Sequence, residues 1–275
     1  MSSYLDVAVA AAKEAGAILR DEHSRPVKIS YKGDVDLVTE ADRRSEAAIV
    51  AHLKREFPAH AIVGEEGGGQ ENSSAFRWYV DPLDGTTNFA HGFPWFAVSI
   101  GLAEGPVGSE KLLAGVVLNP ANGEMFTAAR GEGAFLNGKA IHVSQMERIA
   151  TSLLGTGFPT HKRTQNPNIH FYWQFTLASH GVRRMGAAAL DLCSVACGRL
   201  DGFWEFGLKP WDTAAGTLIV REAGGVVTDW KGTLFHPHLM QCVASNGRIH
   251  EEMLRLSGDI AAGGPALAPL PERTF

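Results

Sequence analysis

The sequence predicts an α+β fold in two halves, folded as one unit with a cleft between them. Three observations carry this. Apolar residues recur at three- and four-residue spacing in N-terminal segments, the period of helices with one buried face. Between about 96 and 143, short β-type runs alternate with Asn-Pro, Asn-Gly and glycine turns, the mark of an antiparallel meander. Beyond it, short strand-like runs alternate with helical ones to about residue 257. No repeat and no Pro/Ser-rich linker divides the chain. Residues 1–257 therefore read as one unit, an α+β half at 1–145 joined to an α/β half at 146–257. The Gly-, Ala- and Pro-rich remainder, 258–275, reads as a flexible tail.

Each element has its own signal. Ser2 or Ser3 can cap a first helix whose apolar face is Leu5, Ala8, Ala12, Ala15 and Leu19, ended by Arg25-Pro26. Residues 27–38 read as extended, with a turn at Gly33-Asp34. Thr39-Glu40-Ala41-Asp42 resembles a capping box with Asp in place of Glu. It opens a helix that carries Ile49 and Leu53 and stops at Pro58. Ala61-Ile62-Val63 is a short strand running into Gly64-Glu65-Glu66, and Gly67-Gly68-Gly69 reads as a mobile loop. Trp78 to Val80 is a buried strand, after which Asp81 and Asp84 flank a turn made by Pro82 and Leu83. The meander strands fall at 98–102, 112–118, 124–129 and 134–136. Then follow a strand at 152–154, a helix at 168–179, a strand at 182–184 and a helix at 187–196 stopped by Gly198. A strand at 200–206, a helix capped by Asp212 and reaching Ala223, a strand at 243–244 and a helix at 248–256 complete the pattern.

The bulk numbers exclude several classes of function. Of 275 residues, 45% are hydrophobic and 20% charged, which suits an ordinary soluble domain. A net charge of −5 offers no basic surface for nucleic acid or an anionic membrane. Three cysteines cannot build a disulfide framework, and Cys193 and Cys197, four apart, read as small core residues. Asp6, Lys13 and Glu14 interrupt the first apolar stretch, so it is neither a signal peptide nor a membrane span. The expectation is a cytoplasmic protein.

The chemistry concentrates in Trp78-Tyr79-Val80-Asp81-Pro82-Leu83-Asp84-Gly85-Thr86-Thr87-Asn88-Phe89. Two carboxylates this close repel each other unless a cation lies between them. Hard oxygen ligands suit Mg²⁺, which is held by one or two carboxylates completed by substrate phosphate and water. Gly85, Thr86 and Thr87 begin a helix whose free N–H groups and hydroxyls can cradle a phosphate. Further acids stand where other apolar segments end: Asp36 with Asp42, Glu65 with Glu66, and Asp212. Each also has a plain reading as a cap or a solvated loop, but layered α/β folds gather their sites at such element ends.

Asp-x-Val-Thr-x-x-Asp at 36–42, Gly-Glu-Glu at 64–66, Asp-Pro-Leu-Asp-Gly-Thr-Thr-Asn-Phe at 81–89 and Trp-Asp-x-Ala-Ala-Gly at 211–216 resemble the signatures of the inositol monophosphatase family, in the same order over nearly the whole chain. The resemblance implies a layered αβαβα sandwich related to fructose-1,6-bisphosphatase, a homodimer, and two or three Mg²⁺ ions per site. Glu65, Asp81, the Leu83 carbonyl, Asp84 and Asp212 then resemble the metal ligands, with Glu65 also a partner of the attacking water. Thr86 resembles the hydroxyl that positions and deprotonates that water, with Asp42 as its hydrogen-bond partner. Gly85, Thr86 and Thr87 resemble the phosphate cradle, and Ala188 and Glu205 the contacts to substrate hydroxyls. Lys32 and Glu66 take supporting places. The chain departs from the family at Ala187, where Ser or Thr is common.

Phosphate monoesters hydrolyse so slowly that charge neutralisation and a nucleophile must be supplied together. No serine or cysteine is placed as a covalent nucleophile, so direct attack by metal-activated water is the expected mechanism. The substrate expected is a small polyol phosphate, inositol 1-phosphate first and histidinol phosphate as the rival. Bisphosphates would want an extra basic cluster, which the sequence does not offer. A non-catalytic metal-binding regulatory protein of the same fold is the competing class. Sensitivity to Li⁺ and to chelators follows from the resemblance.

Overall fold

Ser3 opens the first helix by a reciprocal exchange: its Oγ accepts the Asp6 N–H at 3.1 Å, and Asp6 Oδ2 accepts the Ser3 N–H at 3.1 Å. In this computed structural model residues 3–23, 29–31, 37–70, 72–158, 166–264 and 268–269 are described; Asp36, Lys32 and the turn at Gly33-Asp34 lie outside them. Helix α1 (Tyr4–His23) buries Ala8, Ala11, Ala12, Ala15 and Leu19. Strands β1 (Ile29–Tyr31) and β2 (Leu37–Thr39) form an antiparallel pair that leads into α2 (Glu40–Glu56). The inward face of α2 is polar in its first half, with Asp42, Ser45 and Glu46, and apolar in its second, with Ile49, Val50 and Leu53. One helix thus serves a site at one end and a core at the other.

The larger sheet has strands β3 (Ala61–Gly64), β4 (Phe76–Asp84), β5 (Ala97–Glu104), β6 (Lys111–Asn119), β7 (Glu124–Ala129), β8 (Ala134–Leu136) and β9 (Lys139–Ala140) in sequence order across it. Only β3 and β4 run parallel; the rest form the expected meander. The short helix α3 (Thr86–Ala90) lies between β4 and β5. The second sheet, ordered β11-β10-β12-β14-β13, contains β10 (Leu153–Thr156), β11 (Gly181–Arg183), β12 (Gly202–Phe206), β13 (Val226–Thr228) and β14 (Gln241–Ser245).

Helices α5 (Ala188–Ala196) and α6 (Pro210–Glu222) pack between the two sheets, α1 and α2 cover the outer face of the first, and α4 (Asn168–Ala178) and α7 (His250–Ala262) cover the second. The result is the αβαβα sandwich. Its middle layer is closely fitted. Gly101 on β5 and Gly115 on β6 are cross-strand partners. A Cβ on Gly101 would come within 2.8 Å of Ala214 Cβ, and one on Gly115 within 3.0 Å of Ala215 Cα. Gly216, in turn, makes room for Leu192 of α5, which would lie 2.7 Å from its Cβ. The Ala-Ala-Gly run after Asp212 is therefore a packing requirement: it seats α6 deeply on the first sheet.

The structure revises several expectations. Pro82 and Leu83 do not form a turn; β4 continues through Asp84, with a bulge between Asp81 and Asp84. Pro82 has no N–H to give a ladder, so a bulge is where a central strand can hold it. Asp212 is not an N-cap but the third residue of its helix, its Oδ2 accepting the Lys209 N–H at 2.7 Å. The Gly67–Gly69 segment is tethered rather than free, since Gln70 pairs with Ile62 in a β-bridge and the Gly68 N–H is bound by Glu46 at 2.6 Å. Helix α7 extends to Ala262, so it takes in the start of the expected tail. The carbonyls of Ala268 and Pro269 accept Gln174 Nε2 at 2.6 Å and Trp173 Nε1 at 3.1 Å. His238 sets Nε2 2.7 Å from Tyr79 Oη and ties the β13–β14 connection to the first sheet. No helix among the described residues is long and apolar enough to cross a membrane.

Candidate active site

Parallel pairing of β3 with β4 brings the carboxyl ends of both strands to one edge, with Gly64 opposite Val80. The next residues, Glu65 and Asp81, consequently emerge side by side, and the Glu65 N–H donates to Val80 O at 3.2 Å. Asp81 is 2% exposed, and its Oδ1 accepts the Leu83 N–H that the bulge frees from the ladder, at 3.0 Å. Asp84 ends β4, where its Oδ2 accepts the Ala189 N–H from the first turn of α5 at 2.7 Å. The first turn of α6 adds Asp212, so the first sheet and the middle helical layer meet at this edge.

The electrostatics record the crowding. Burial raises the Asp81 carboxyl well above the usual carboxylate range, and the charges of Glu65, Asp84 and Asp212 raise it further. Asp84 is raised likewise, first by burial and then by Asp212. Burial pushes Asp212 up to about 6, against the lowering effect of the Lys209 N–H. Four crowded carboxylates, Asp81 buried and the other three half-buried, fit a divalent cation: all-oxygen, anionic donors of the kind Mg²⁺ selects. Among the described residues, no three His, Cys, Asp or Glu side chains form a ready-made cage. The coordination would have to be completed by a carbonyl such as that of Leu83, by water and by phosphate, as Mg²⁺ prefers.

Gly85 occupies the left-handed region, φ 88°, where only glycine is unstrained, and it turns the chain from β4 into α3. Its neighbours leave no space for a side chain: a Cβ would meet Trp95 O at 3.0 Å and Ala187 Cβ at 3.2 Å. Thr86 Oγ1 lies 3.3 Å from Asp42 Oδ1 and 3.1 Å from Leu83 O, so its single proton has two acceptors within reach. Asp42 is 1% exposed. Thr87 is exposed at the mouth, and Ala188 opens α5. Glu205 lies near the end of β12. Burial raises its carboxyl, and Asp191, Asp212 and Asp84 add to the effect.

The structure thus gathers Asp42, Glu65, Asp81, Leu83, Asp84, Gly85, Thr86, Ala188, Glu205 and Asp212 into one region. Lys32 lies outside the described residues. Glu66 joins through its backbone, its N–H donating to Glu46 Oε2 at 2.8 Å.

Three residues of this region escape the sequence reading. Glu46, 2% exposed, anchors the loop that carries Glu65 and Glu66. Its signal was a charged residue on the inward face of α2, one turn after Asp42. Asn88 ties the phosphate turn to the approach of α5, with Nδ2 2.7 Å from Trp95 O and 2.8 Å from Met185 O. Asp191 is 1% exposed and pushed up to about 8 by burial, with the Trp95 indole and Arg184 opposing. A lone acid among apolar helix positions was its only trace.

The model of the inositol monophosphatase family matches residues 1–261. Inositol-1-monophosphatase of Synechocystis sp. is 45% identical over 257 residues, covering 92% of this chain and 88% of that protein. The Nus factor SuhB of Pseudomonas aeruginosa is 43% identical over 263 residues, covering 92% of this chain and 95% of its own. Among solved structures, the inositol monophosphatase from Anabaena (Nostoc) sp. superposes with a TM-score of 0.84 at 40% identity, covering 96% of this chain and 97% of that one.

Proposed function

Because the chain belongs to the inositol monophosphatase family, we propose that this phosphatase, a phosphoric monoester hydrolase of a Mg²⁺-dependent family, acts on inositol 1-phosphate. The observation that carries the site assignment is the convergence of Glu65 after β3, Asp81 and Asp84 of β4, and Asp212 of the first turn of α6 in one corner.

In this reading Asp81, Asp84, Asp212, Glu65 and the Leu83 carbonyl hold the metal. When bound, Mg²⁺ neutralises phosphate charge and lowers the pKa of water. The N–H groups of Gly85, Thr86 and Thr87 orient the phosphate oxygens. Thr86 Oγ1, its own proton shared between Asp42 Oδ1 and Leu83 O, turns its lone pairs toward the attacking water and aligns it. Asp42, buried on the inward face of α2, provides the fixed acceptor that keeps the hydroxyl in this rotamer. Glu205 faces the leaving group and accepts its hydroxyls. The proposed assembly is a homodimer, as in the family resemblance.

One observation supports a second substrate. Asp191 is the charge that most raises Glu205 after burial, so two acids stand close together there, and in this reading such a pair also suits the ammonium group of histidinol phosphate. The test is phosphate release from the two esters at equal enzyme concentration, with Mg²⁺ titrated. A large preference for inositol 1-phosphate supports the reading; preference for histidinol phosphate keeps the metal site and replaces the substrate.

A further inference from the structure

Strands β10 and β12 run in parallel, with Thr156 opposite Trp204. One residue further on, Gly157 lies beside Glu205. A Cβ built on Gly157 would sit 2.1 Å from Glu205 Cδ and 2.1 Å from each carboxylate oxygen. The Glu205 carboxylate therefore occupies the volume that a side chain at 157 would fill.

The niche is braced from behind. Asn168 Nδ2 donates to Gly157 O at 2.6 Å and to Thr156 Oγ1 at 3.0 Å, while Asn168 Oδ1 accepts Trp204 Nε1 at 2.7 Å. Thr156 Oγ1 donates to Trp204 O at 2.7 Å. Asn168 itself is fully buried. These bonds index the backbone at 157 to the strand that carries Glu205, so neither backbone can retreat from the other. The Glu205 side chain is the movable part. Gly157 lies outside the left-handed backbone region, so a larger residue there would be opposed by the carboxylate and not by its own φ.

We propose that Gly157 is a positioning residue that sets leaving-group specificity: by lacking a side chain it lets the Glu205 carboxylate lie back against β10 and leaves room for a ring-sized polyol. A side chain at 157 drives the carboxylate forward into that space and favours small acyclic esters. The inference rests on the reading of Glu205 as the acceptor of leaving-group hydroxyls.

The test is a cycle of Gly157→Ala, Glu205→Ala and the double variant. Inositol 1-phosphate and glycerol 2-phosphate are compared by KM and kcat, and metal-free thermal unfolding is followed in parallel. Gly157→Ala is expected to raise KM for the inositol ester more than kcat falls. The inositol-to-glycerol ratio of kcat/KM drops about tenfold or more, the scale of a displaced charged hydrogen bond. In the Glu205→Ala background the same change leaves the ratio where it was, and it lowers the unfolding temperature only when Glu205 is present. An unchanged ratio in Gly157→Ala, or an equal drop in both backgrounds, overturns the proposal. If the unsubstituted protein turns over neither ester, the substrate reading fails, while the unfolding cycle still decides whether Gly157 seats Glu205.

Discussion

Glu46 accepts the backbone N–H of Gly68 at 2.6 Å, and its other oxygen takes the N–H of Glu66 at 2.8 Å. A Cβ on Gly64 would come within 2.3 Å of the same carboxylate, and one on Gly68 within 2.6 Å. One side chain from α2 thus fills the space that side chains at 64 and 68 would need, and holds the loop bearing Glu65 against the end of β4. Outer residues that orient ligands are worth 10–100-fold in metal affinity or activity. Glu46→Ala is expected to weaken Mg²⁺ activation by about 10–100-fold. A Mg²⁺ titration of activity with unchanged half-saturation would remove Glu46 from this role.

Gly101 is expected to tolerate nothing larger. Its Cβ would meet Ala214 Cβ at 2.8 Å and Ala215 N at 2.9 Å, lifting the start of α6 off the sheet. Gly101→Val should cost about 1–3 kcal/mol or more by overpacking. Because Asp212 rides on the same helix turn, activity should fall further than stability predicts. Denaturant unfolding and turnover of the same variant separate the two; loss of stability with full activity would show that α6 depth does not place Asp212.

Asp84→Asn is expected to lose more activity than the 10–100-fold typical of outer-shell changes. Removal of one of four crowded acids should leave the metal-free protein as stable as before, or more so. Circular dichroism melting and initial rates test both halves. Near-normal turnover in a folded variant would sink the metal assignment.

The same cluster sets a pH dependence. Asp212, at about 6, and Asp81 and Asp84, both raised by burial and mutual repulsion, bind protons more tightly folded than unfolded. The contribution of Asp212 to metal-free stability is present below the unfolded carboxylate range near 4 and is lost as pH rises through about 6, and those of Asp81 and Asp84 are lost in the same direction. Mg²⁺ competes with those protons, so its stabilising effect should be larger at pH 7 than at pH 5. Thermal unfolding with and without Mg²⁺ at both values reads this difference; an equal increment at the two pH values would contradict it.

His250 acts in the opposite direction. It is 6% exposed, with Thr228 Oγ1 2.9 Å from Nε2 and Ser245 Oγ 2.9 Å from Nδ1. Thr228 donates its own proton to Asp229 O at 2.7 Å, so Nε2 carries the imidazole proton and Nδ1 accepts from Ser245. Burial lowers the folded pKa of this ring, so its stability contribution is complete above the unfolded value near 6.5 and declines as pH falls below it. His250→Gln should flatten that acid-side decline while costing about 1–3 kcal/mol at pH 7 through unsatisfied hydroxyls. Urea unfolding at pH 5.5 and 7.5 measures both; an unaltered pH slope would exclude His250 as its source.

The local half of the site was readable before folding. Asp81, Leu83, Asp84, Gly85 and Thr86 are neighbours along the chain, so their meeting needs only one strand end and one turn. The Ser3 cap and the meander were legible for the same reason, since periodicity and turn residues act over a few positions. The resemblance then placed Asp42, Glu65, Glu205 and Asp212 in roles, as expectations that composition and spacing alone do not yield.

What the sequence by itself determined is most of the elements, with β9 and β13 missed, and the chemistry held within single segments. Tertiary structure alone decided which segment ends meet: β3 beside β4 in parallel, α6 pressed onto Gly101 and Gly115, and Asp84 against the first turn of α5, whose Ala189 N–H it accepts. It also decided that Pro82 sits in a bulge, that Glu46 substitutes for side chains at two glycines, and that Glu205 lies in the space Gly157 leaves. The physical reason is range. Propensity and periodicity report a residue's neighbours along the chain, whereas pairing direction and packing depth depend on surfaces tens of residues apart. Their sign in the sequence is only a glycine, an alanine or a charge on an otherwise apolar face.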